Sequence, residues 1–443
     1  YLVLRLFTAL FGLNAVTLRL FSVLGVLSTI ILGYFTGQRI FGKKGAIYFC
    51  LMLISLPMLA VYSHQARMYT WAAFSITGVF FYSYLFMKSG KNHDLLLLFT
   101  FTLIAMYIHY YSMVAAAVAN LCVLLHLLRT KNKKWLHHLF SLLSAALLFL
   151  PWLSMFIIQV KRVQHAYWVP EVSFTTILHC FAIPFTEQFW TTGYSIAMVI
   201  LLYGLIFFTV FKSHKKSFSE FRLILWRSLY IFIGTLLVAT IISVFSQSIL
   251  FSRYVVPIVT MLVIPPTILL IQIKLKWLKL ILISLILFLG IRISVPTFSF
   301  SYGPYKQTVE YITANYPGIR KILHITEHTA GPLVEYTGNS GLSHYWLKAE
   351  MSNVDAFPQV HQYKQPGEFL EPGEVYCAVR FNNLDLNEDN LDRVLSESEL
   401  VKKDTVRDNK VEHGLIMIQL YLLKYKGSQP NGNSESTDLK NNN

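Results

Sequence analysis

Windows of about 20 apolar residues, the length needed to cross a bilayer as a helix, recur through residues 1–300, and every second gap between them is basic. The windows fall near 15–36, 45–62, 68–87, 94–111, 113–129, 138–158, 193–211, 226–246, 254–272 and 277–295, about ten spans in all. Five connections carry the cations: Gln38-Arg39 with Lys43-Lys44, Lys88 with Lys91, Arg129 to Lys134, Lys212 to Lys216, and Lys274 to Lys279. Cations favour the cytoplasmic side, so the alternation predicts that Tyr62–Met68, Tyr107–Met113, Gln159–Gly193 and Ser246–Arg253 face outward, together with both termini.

The charge balance fits no nucleic-acid binder. Residues 1–300 hold 24 Lys and Arg against four acids (Asp94, Glu171, Glu187 and Glu220), whereas residues 301–443 hold 14 cations and 19 acids. The basic excess thus lies in loops flanking the membrane, where it sets orientation. The four cysteines have no CxxC or metal-type spacing, and the chain shows no Walker or GxGxxG fingerprint. No metal or cofactor is expected. Residues 1–14, apolar with single cations, read as an interfacial helix entering the first span. An even number of spans puts Tyr1 outside, so a further span is expected upstream of it.

After residue 300 the composition turns polar. Tyr305–Tyr316 and Asp385–Ser398 read as helices, and Lys321–Ile325, Val375–Phe381 and Leu415–Tyr425 as strands. The expected layout is a transmembrane domain over 1–300, a small extracytoplasmic α/β domain over 301–426, and a disordered Asn/Ser/Gly-rich tail over 427–443.

The candidate chemistry lies in the outward connections. Arg67, in Tyr62-Ser63-His64-Gln65-Ala66-Arg67-Met68-Tyr69, is a cation on the side poor in cations, and a guanidinium fork matches the oxygens of a lipid phosphate. Arg253, followed by Tyr254, opens another span on the same side and suggests a shared anion site. His109, between Ile108 and Tyr110, adds a proton donor or acceptor at that level. Asp94 and Glu220 are cytoplasmic in this topology. Glu171 and Glu187 are therefore the carboxylates of the membrane part left to act as a base there.

These motifs resemble the GT-C glycosyltransferases of the protein O-mannosyltransferase and aminoarabinose-transferase type, glycosyltransferase family 39. The run Ser63 to Tyr69 is similar to that family's Ser-x-Glu-Ala-Arg-Met-Tyr signature, with Gln65 in place of the Glu. Residues Tyr1 to Arg39 are similar to the segment that follows the family's His-Pro-Pro-Leu motif. His109-Tyr110-Tyr111 resembles its Thr-His-Tyr loop, Tyr167-Trp168-Val169-Pro170 its external Trp-x-Pro stretch, and Arg253-Tyr254 its late Arg-Tyr.

The resemblance implies a multi-pass plasma (inner) membrane enzyme of hexosyl- or pentosyl-transferase type. It would move a sugar from a polyprenyl-phosphate donor to a protein, lipid or glycan acceptor on the extracytoplasmic face. Arg67 and Arg253 would bind the donor phosphate. Gln65, Tyr69, His109, Tyr110, Trp168 and Tyr254 would line the donor and acceptor cavity. The family's catalytic Asp lies in its first external loop, upstream of the residues present, so the chain as given is expected to lack it. The alternatives are a lipid-linked glycan polymerase or ligase, and a lipid-linked-oligosaccharide flippase or transporter. A transporter predicts charges inside the spans, and the sequence places almost no acids there.

Overall fold

The computed structural model describes residues 2–165, 169, 171–186, 193–299, 304–337, 341–347, 360–363, 365–381, 388–407 and 417–427. The chain divides into two compact units, Tyr1–Ser299 and Phe300–Asn443.

The first unit is helical. Helix α1 (Leu2–Phe11) leaves Leu2, Val3, Leu6, Leu10 and Phe11 exposed, as suits a helix lying in a lipid interface. Helix α2 (Ala15–Ile54) runs for 40 residues but reverses direction at Gly42, whose φ is 70° and ψ 171°. Its two arms lie antiparallel. The Cys50 thiol reaches the Ile30 carbonyl at 3.6 Å, and Gly37 faces Ala46. After a break at Ser55-Leu56, α3 (Pro57–Ser63) continues the second arm; Pro57, which has no N–H to donate, starts it.

Then follow α4 (Tyr69–Ser89), α5 (Asn92–Ile108), α6 (Tyr110–Arg129), α7 (Lys134–His165), α8 (Phe174–Ala182), α9 (Gly193–Lys212) and α10 (Arg222–Phe245). A 3-10 run over Ser252–Val263 passes into α11 (Ile264–Gln272), and α12 (Lys276–Ser299) closes the unit. Among the described residues, eight helices are long and apolar enough to cross a membrane. Dividing α2 at its reversal and adding α5, at 17 residues, recovers the ten spans expected from the sequence.

Two spans form the centre. In α4, 83% of the most apolar window is buried, and in Ser252–Gln272 89%, against 11% in α7. The first two are therefore packed inside the bundle, and α7 faces lipid. The hydroxyls of Thr77 and Thr260 join the two inner spans by a 2.9 Å hydrogen bond. Deeper in, Arg227 of α10 is 3% exposed and ties three helices together. It donates to the Ser83 hydroxyl on α4 at 2.8 Å, to the Met87 sulfur at 2.9 Å and to the Ala119 carbonyl on α6 at 3.4 Å.

The charged loops pair as the alternation requires. Arg39, near the reversal of α2, meets Asp94 in the first turn of α5 at 2.8 Å, and Ser89 donates to the same carboxylate at 2.7 Å. Asp94 is fully buried, and a helix N-terminus further favours its charge.

The second unit carries α13 (Tyr305–Asn315), β1 (Lys321–His324), α14 (Glu327–Thr337), β2 (Ser343–Leu347), β3 (Val360–Tyr363), β4 (Val375–Phe381), α15 (Glu388–Ser396), β5 (Ser398–Arg407) and β6 (Met417–Tyr425). Its six-stranded sheet has the order β3-β2-β1-β4-β6-β5. The first four strands are parallel, and β5 and β6 are antiparallel additions.

Two buried histidines sit beneath α14. His324 Nε2 lies 2.9 Å from His344 Nδ1, and the outer ring nitrogens reach Thr329 and Thr337 at 2.8 and 3.0 Å. The Thr329 hydroxyl donates to the Thr326 carbonyl at 2.7 Å, so it accepts from His324 Nδ1–H, and His344 Nδ1–H donates in turn to His324 Nε2. Neutral rings satisfy the chain when the Thr337 hydroxyl donates to His344 Nε2 and not to the Val334 carbonyl 2.9 Å away.

Two expectations follow. Gly42→Ala lowers the thermal midpoint of the detergent-solubilised protein, corresponding to about 1–3 kcal/mol. Nothing lies within 4 Å of the added Cβ, so the loss is backbone strain alone. The second concerns pH. Burial pushes His344 down to about 4 and His324 well below the ordinary value of 6.5. Between these values the unfolded chain binds more protons than the folded one, so stability is complete above about 6.5 and is lost as pH falls. Hydrogen-exchange protection of the β1 amides should therefore fall between pH 6.5 and 4, and a chain whose protection stays flat contradicts the neutral pair.

Candidate functional site

The two inner spans open at one end with similar residues. Arg67, Met68 and Tyr69 lead into α4, and Arg253 and Tyr254 begin the 3-10 run. Their register follows from helix geometry. From Tyr69 to Thr77 is eight residues of α-helix, roughly 12 Å at 1.5 Å each. From Tyr254 to Thr260 is six residues of 3-10 helix, also roughly 12 Å at 2.0 Å each. With the two threonines bonded, the two tyrosines come level, and their ring centroids lie 6.4 Å apart. The arginines precede them by two residues and by one.

His109, in the link between α5 and α6, completes the group. Its ring lies 5.4 Å from Tyr69 and 5.4 Å from Tyr254. It also caps α6, accepting the Tyr111 N–H on Nδ1 at 3.1 Å, which leaves the proton of the neutral ring on Nε2. Tyr111 packs tilted against Tyr254 at 5.4 Å and donates to the Ile249 carbonyl at 3.1 Å, and Tyr62 packs edge-on against Tyr69 at 5.0 Å. Three connections at one end of the bundle, 64–68, 109 and 246–253, thus meet around one aromatic hub.

Each of the two inner spans carries an arginine just before its hub tyrosine. Arg67 is exposed, and among the described residues no carboxylate pairs with it. Arg253 is half-buried, its guanidinium 4.7 Å from the centre of the Phe251 ring in a cation–π contact. An anion near the hub would meet two guanidinium-bearing span starts in a half-apolar setting, where charge-assisted hydrogen bonds are strong.

Other sequence candidates fall differently. The backbone carbonyl of Gln65 accepts the Arg67 N–H at 2.7 Å, and its side chain is half-buried. Tyr110 turns away from the hub: its hydroxyl bonds Gln159 on α7 and its ring packs on Phe156 at 5.0 Å. Glu171 is exposed shortly before α8. Trp168 and Glu187 lie outside the described residues. Tyr62 and Tyr111 also belong to the hub; both occur in the sequence motifs but are not marked there as cavity residues. A Tyr at each end of the 62–69 loop and beside His109 was the available signal. Between α5, α6 and α7 lies an apolar cavity of about 280 Å³, lined by Met106, Met113, Ala116, Asn120, Leu124 and Leu142 among others.

With this geometry in view, comparison with known proteins is informative. Residues 1–155 match the dolichyl-phosphate-mannose-protein mannosyltransferase family. Two crystal structures of ArnT from Cupriavidus metallidurans, one in the apo state and one bound to undecaprenyl phosphate, superpose on the chain with a TM-score of 0.53. Each is 14% identical and covers 94% of this chain and 86% of that one. The chain has the ArnT fold. None of the curated proteins compared with it matches. The family match and the ArnT fold bear out the resemblance read from the sequence motifs.

Tyr254 touches Tyr69, His109, Tyr111 and Phe251, and is the residue through which the hub is joined. Tyr254→Ala is expected to destabilise the membrane unit by about 2–4 kcal/mol. Tyr110→Ala, which removes a ring at the α7 side, should leave the hub intact. Thermal unfolding of both variants in the same detergent checks the contrast.

Proposed function

We propose that this protein is a membrane glycosyltransferase that takes a sugar from a polyprenyl-phosphate donor and passes it to a hydroxyl acceptor at the extracytoplasmic surface. The observation that carries the reading is that Arg67 and Arg253 each stand one or two residues before a tyrosine of one aromatic hub, at the starts of the two most buried spans. The match of residues 1–155 to a family that uses dolichyl-phosphate-mannose supports the donor class, as does the fold shared with an ArnT structure that holds undecaprenyl phosphate.

In this reading Arg67 and Arg253 grip the donor phosphate. As the bond from the anomeric carbon to phosphate breaks, charge grows on the leaving phosphate, and fixed guanidinium groups stabilise that charge more than the ground state. Tyr69, His109 and Tyr254 form the apolar and hydrogen-bonding wall beside it, with Gln65 from the 64–68 connection. The cleft between α5, α6 and α7, flanked at one end by Met106 and Met113 on either side of His109, takes part of the isoprenoid chain. The sugar is a hexose or pentose, and the acceptor a protein, lipid or glycan. The protein sits in the plasma membrane with its C-terminal unit outside, in keeping with the basic connections on the opposite side.

Arg67→Ala in the full-length protein should weaken binding of undecaprenyl phosphate by roughly 10- to 100-fold and abolish sugar transfer, with folding and membrane insertion unchanged. Arg67→Lys should restore part of the affinity, since a point charge lacks the planar fork. Transfer at the wild-type rate by Arg67→Ala refutes the assignment.

A further inference from the structure

The backbone that carries Arg67 is held from below by α2. Ser22, fully buried near the start of α2, directs its hydroxyl at the Gln65 carbonyl at 2.6 Å, with the Arg67 carbonyl 3.3 Å away. These two carbonyls bracket Ala66. The Gln65 carbonyl also accepts the Arg67 N–H at 2.7 Å, which closes a tight turn. One hydroxyl therefore fixes the turn from which the Arg67 side chain departs.

The neighbours of Ser22 do the same for the start of α4. One residue earlier, the Phe21 carbonyl accepts the Trp71 indole N–H at 2.9 Å. One turn later, Gly25 lets the helix approach so closely that a Cβ there would stand 2.5 Å from Thr70 Oγ1 and 3.0 Å from the Trp71 nitrogen. Positions 21, 22 and 25 share one face of α2, and the segment 65–71 is seated on that face. The seat matters because α4 begins without a side-chain cap of its own. An exposed arginine on a loose loop would have to be ordered each time it bound an anion, whereas one on a fixed turn is already aimed.

We propose that Ser22 is a positioning residue for the Arg67 guanidinium, acting on the lipid-phosphate donor through the backbone turn at 65–67 and not by touching the donor. This inference rests on the phosphate-binding reading of Arg67, and a double-mutant cycle separates the two.

The measurement is the affinity of the full-length protein in lipid nanodiscs for undecaprenyl phosphate, with thermal unfolding recorded in parallel. Ser22→Ala should weaken binding roughly tenfold with the melting midpoint close to wild type, since alanine is a good helix former and the Gln65 carbonyl keeps its bond from Arg67. Ser22→Thr, which keeps the hydroxyl, should restore most of the affinity. In the Arg67→Ala background, Ser22→Ala should change nothing further, because there is no guanidinium left to aim. An equal loss in both backgrounds means that Ser22 acts on the fold at large and overturns the proposal. Wild-type affinity in Ser22→Ala, with Arg67→Ala impaired, sinks the role of Ser22 alone. Wild-type affinity in Arg67→Ala removes Arg67 from the phosphate site and the role of Ser22 with it.

Discussion

Two membrane spans laid side by side in register set the positions of everything at the candidate site. Span α4 and the span over 252–272 are the most enclosed in the bundle, and a hydroxyl pair, Thr77 with Thr260, pins them together. Without that register the two arginines would stand at different depths. In an α-helix a slip of one residue moves a side chain about 100° around the axis, and in a 3-10 helix about 120°. Slippage would therefore break the Tyr69–Tyr254 contact before it altered the depth by much. The 12-residue 3-10 run is unusually long for that geometry. It is buried throughout from Val255 to Val263, and its larger rise per residue lets six residues match eight of α4.

Charge is treated differently at the two ends of the bundle. At the basic end, Arg39 meets Asp94, and the carboxylate is further held by Ser89 and the N-terminus of α5. At the other end Arg67 has no carboxylate partner among the described residues, and Phe251 lies beneath the guanidinium of Arg253. A bundle with few acids leaves Arg67, at the end away from Arg39 and Asp94, without a carboxylate among the described residues. The contrast between a neutralised pair on one side and an open arginine on the other is an electrostatic argument for a binding site, independent of any likeness to known proteins.

Much of this was legible in the sequence because hydropathy and charge act over long windows. Ten spans and their alternation follow from apolar length and cation placement, and the contact between Arg39 and Asp94 agrees with putting both on one side. The reversal inside α2 is also visible as Gly42-Lys43-Lys44 between two apolar runs. Arg67, Tyr69, His109 and Tyr254 stand out in the sequence because each lies where an apolar span starts or ends. Tyr110 faces away from the hub for a physical reason. His109 caps α6, so the helix begins at Tyr110, and successive residues then point about 100° apart; Tyr111 takes the inward place. In the second unit α14 was hidden by Gly331-Pro332, which reads as a turn. Strand β5 was hidden by Lys402, Lys403 and Asp404, whose charges suit an edge strand but break the apolar alternation. Strand β2 holds His344 and is only five residues long.

The buried cation Arg227 shows why the site end can stay rigid. A guanidinium placed within a span is expensive unless its donors are met; here a hydroxyl, a thioether and a backbone carbonyl from α4 and α6 meet its two terminal nitrogens, while Nε finds no partner among the described residues. That clamp joins α4, α6 and α10 in the half of the bundle away from Arg67. The aromatic hub joins α4, the start of α6 and the 252–263 run in the other half. Two helices held at two separated points along their length can neither tilt nor rotate independently. With only one clamp, α6 would pivot on α4, and His109 at its head would swing through the largest arc. The polar clamp and the aromatic hub therefore act on the same quantity, the placing of His109 and Tyr111 against Tyr69 and Tyr254, from opposite ends of the same helices.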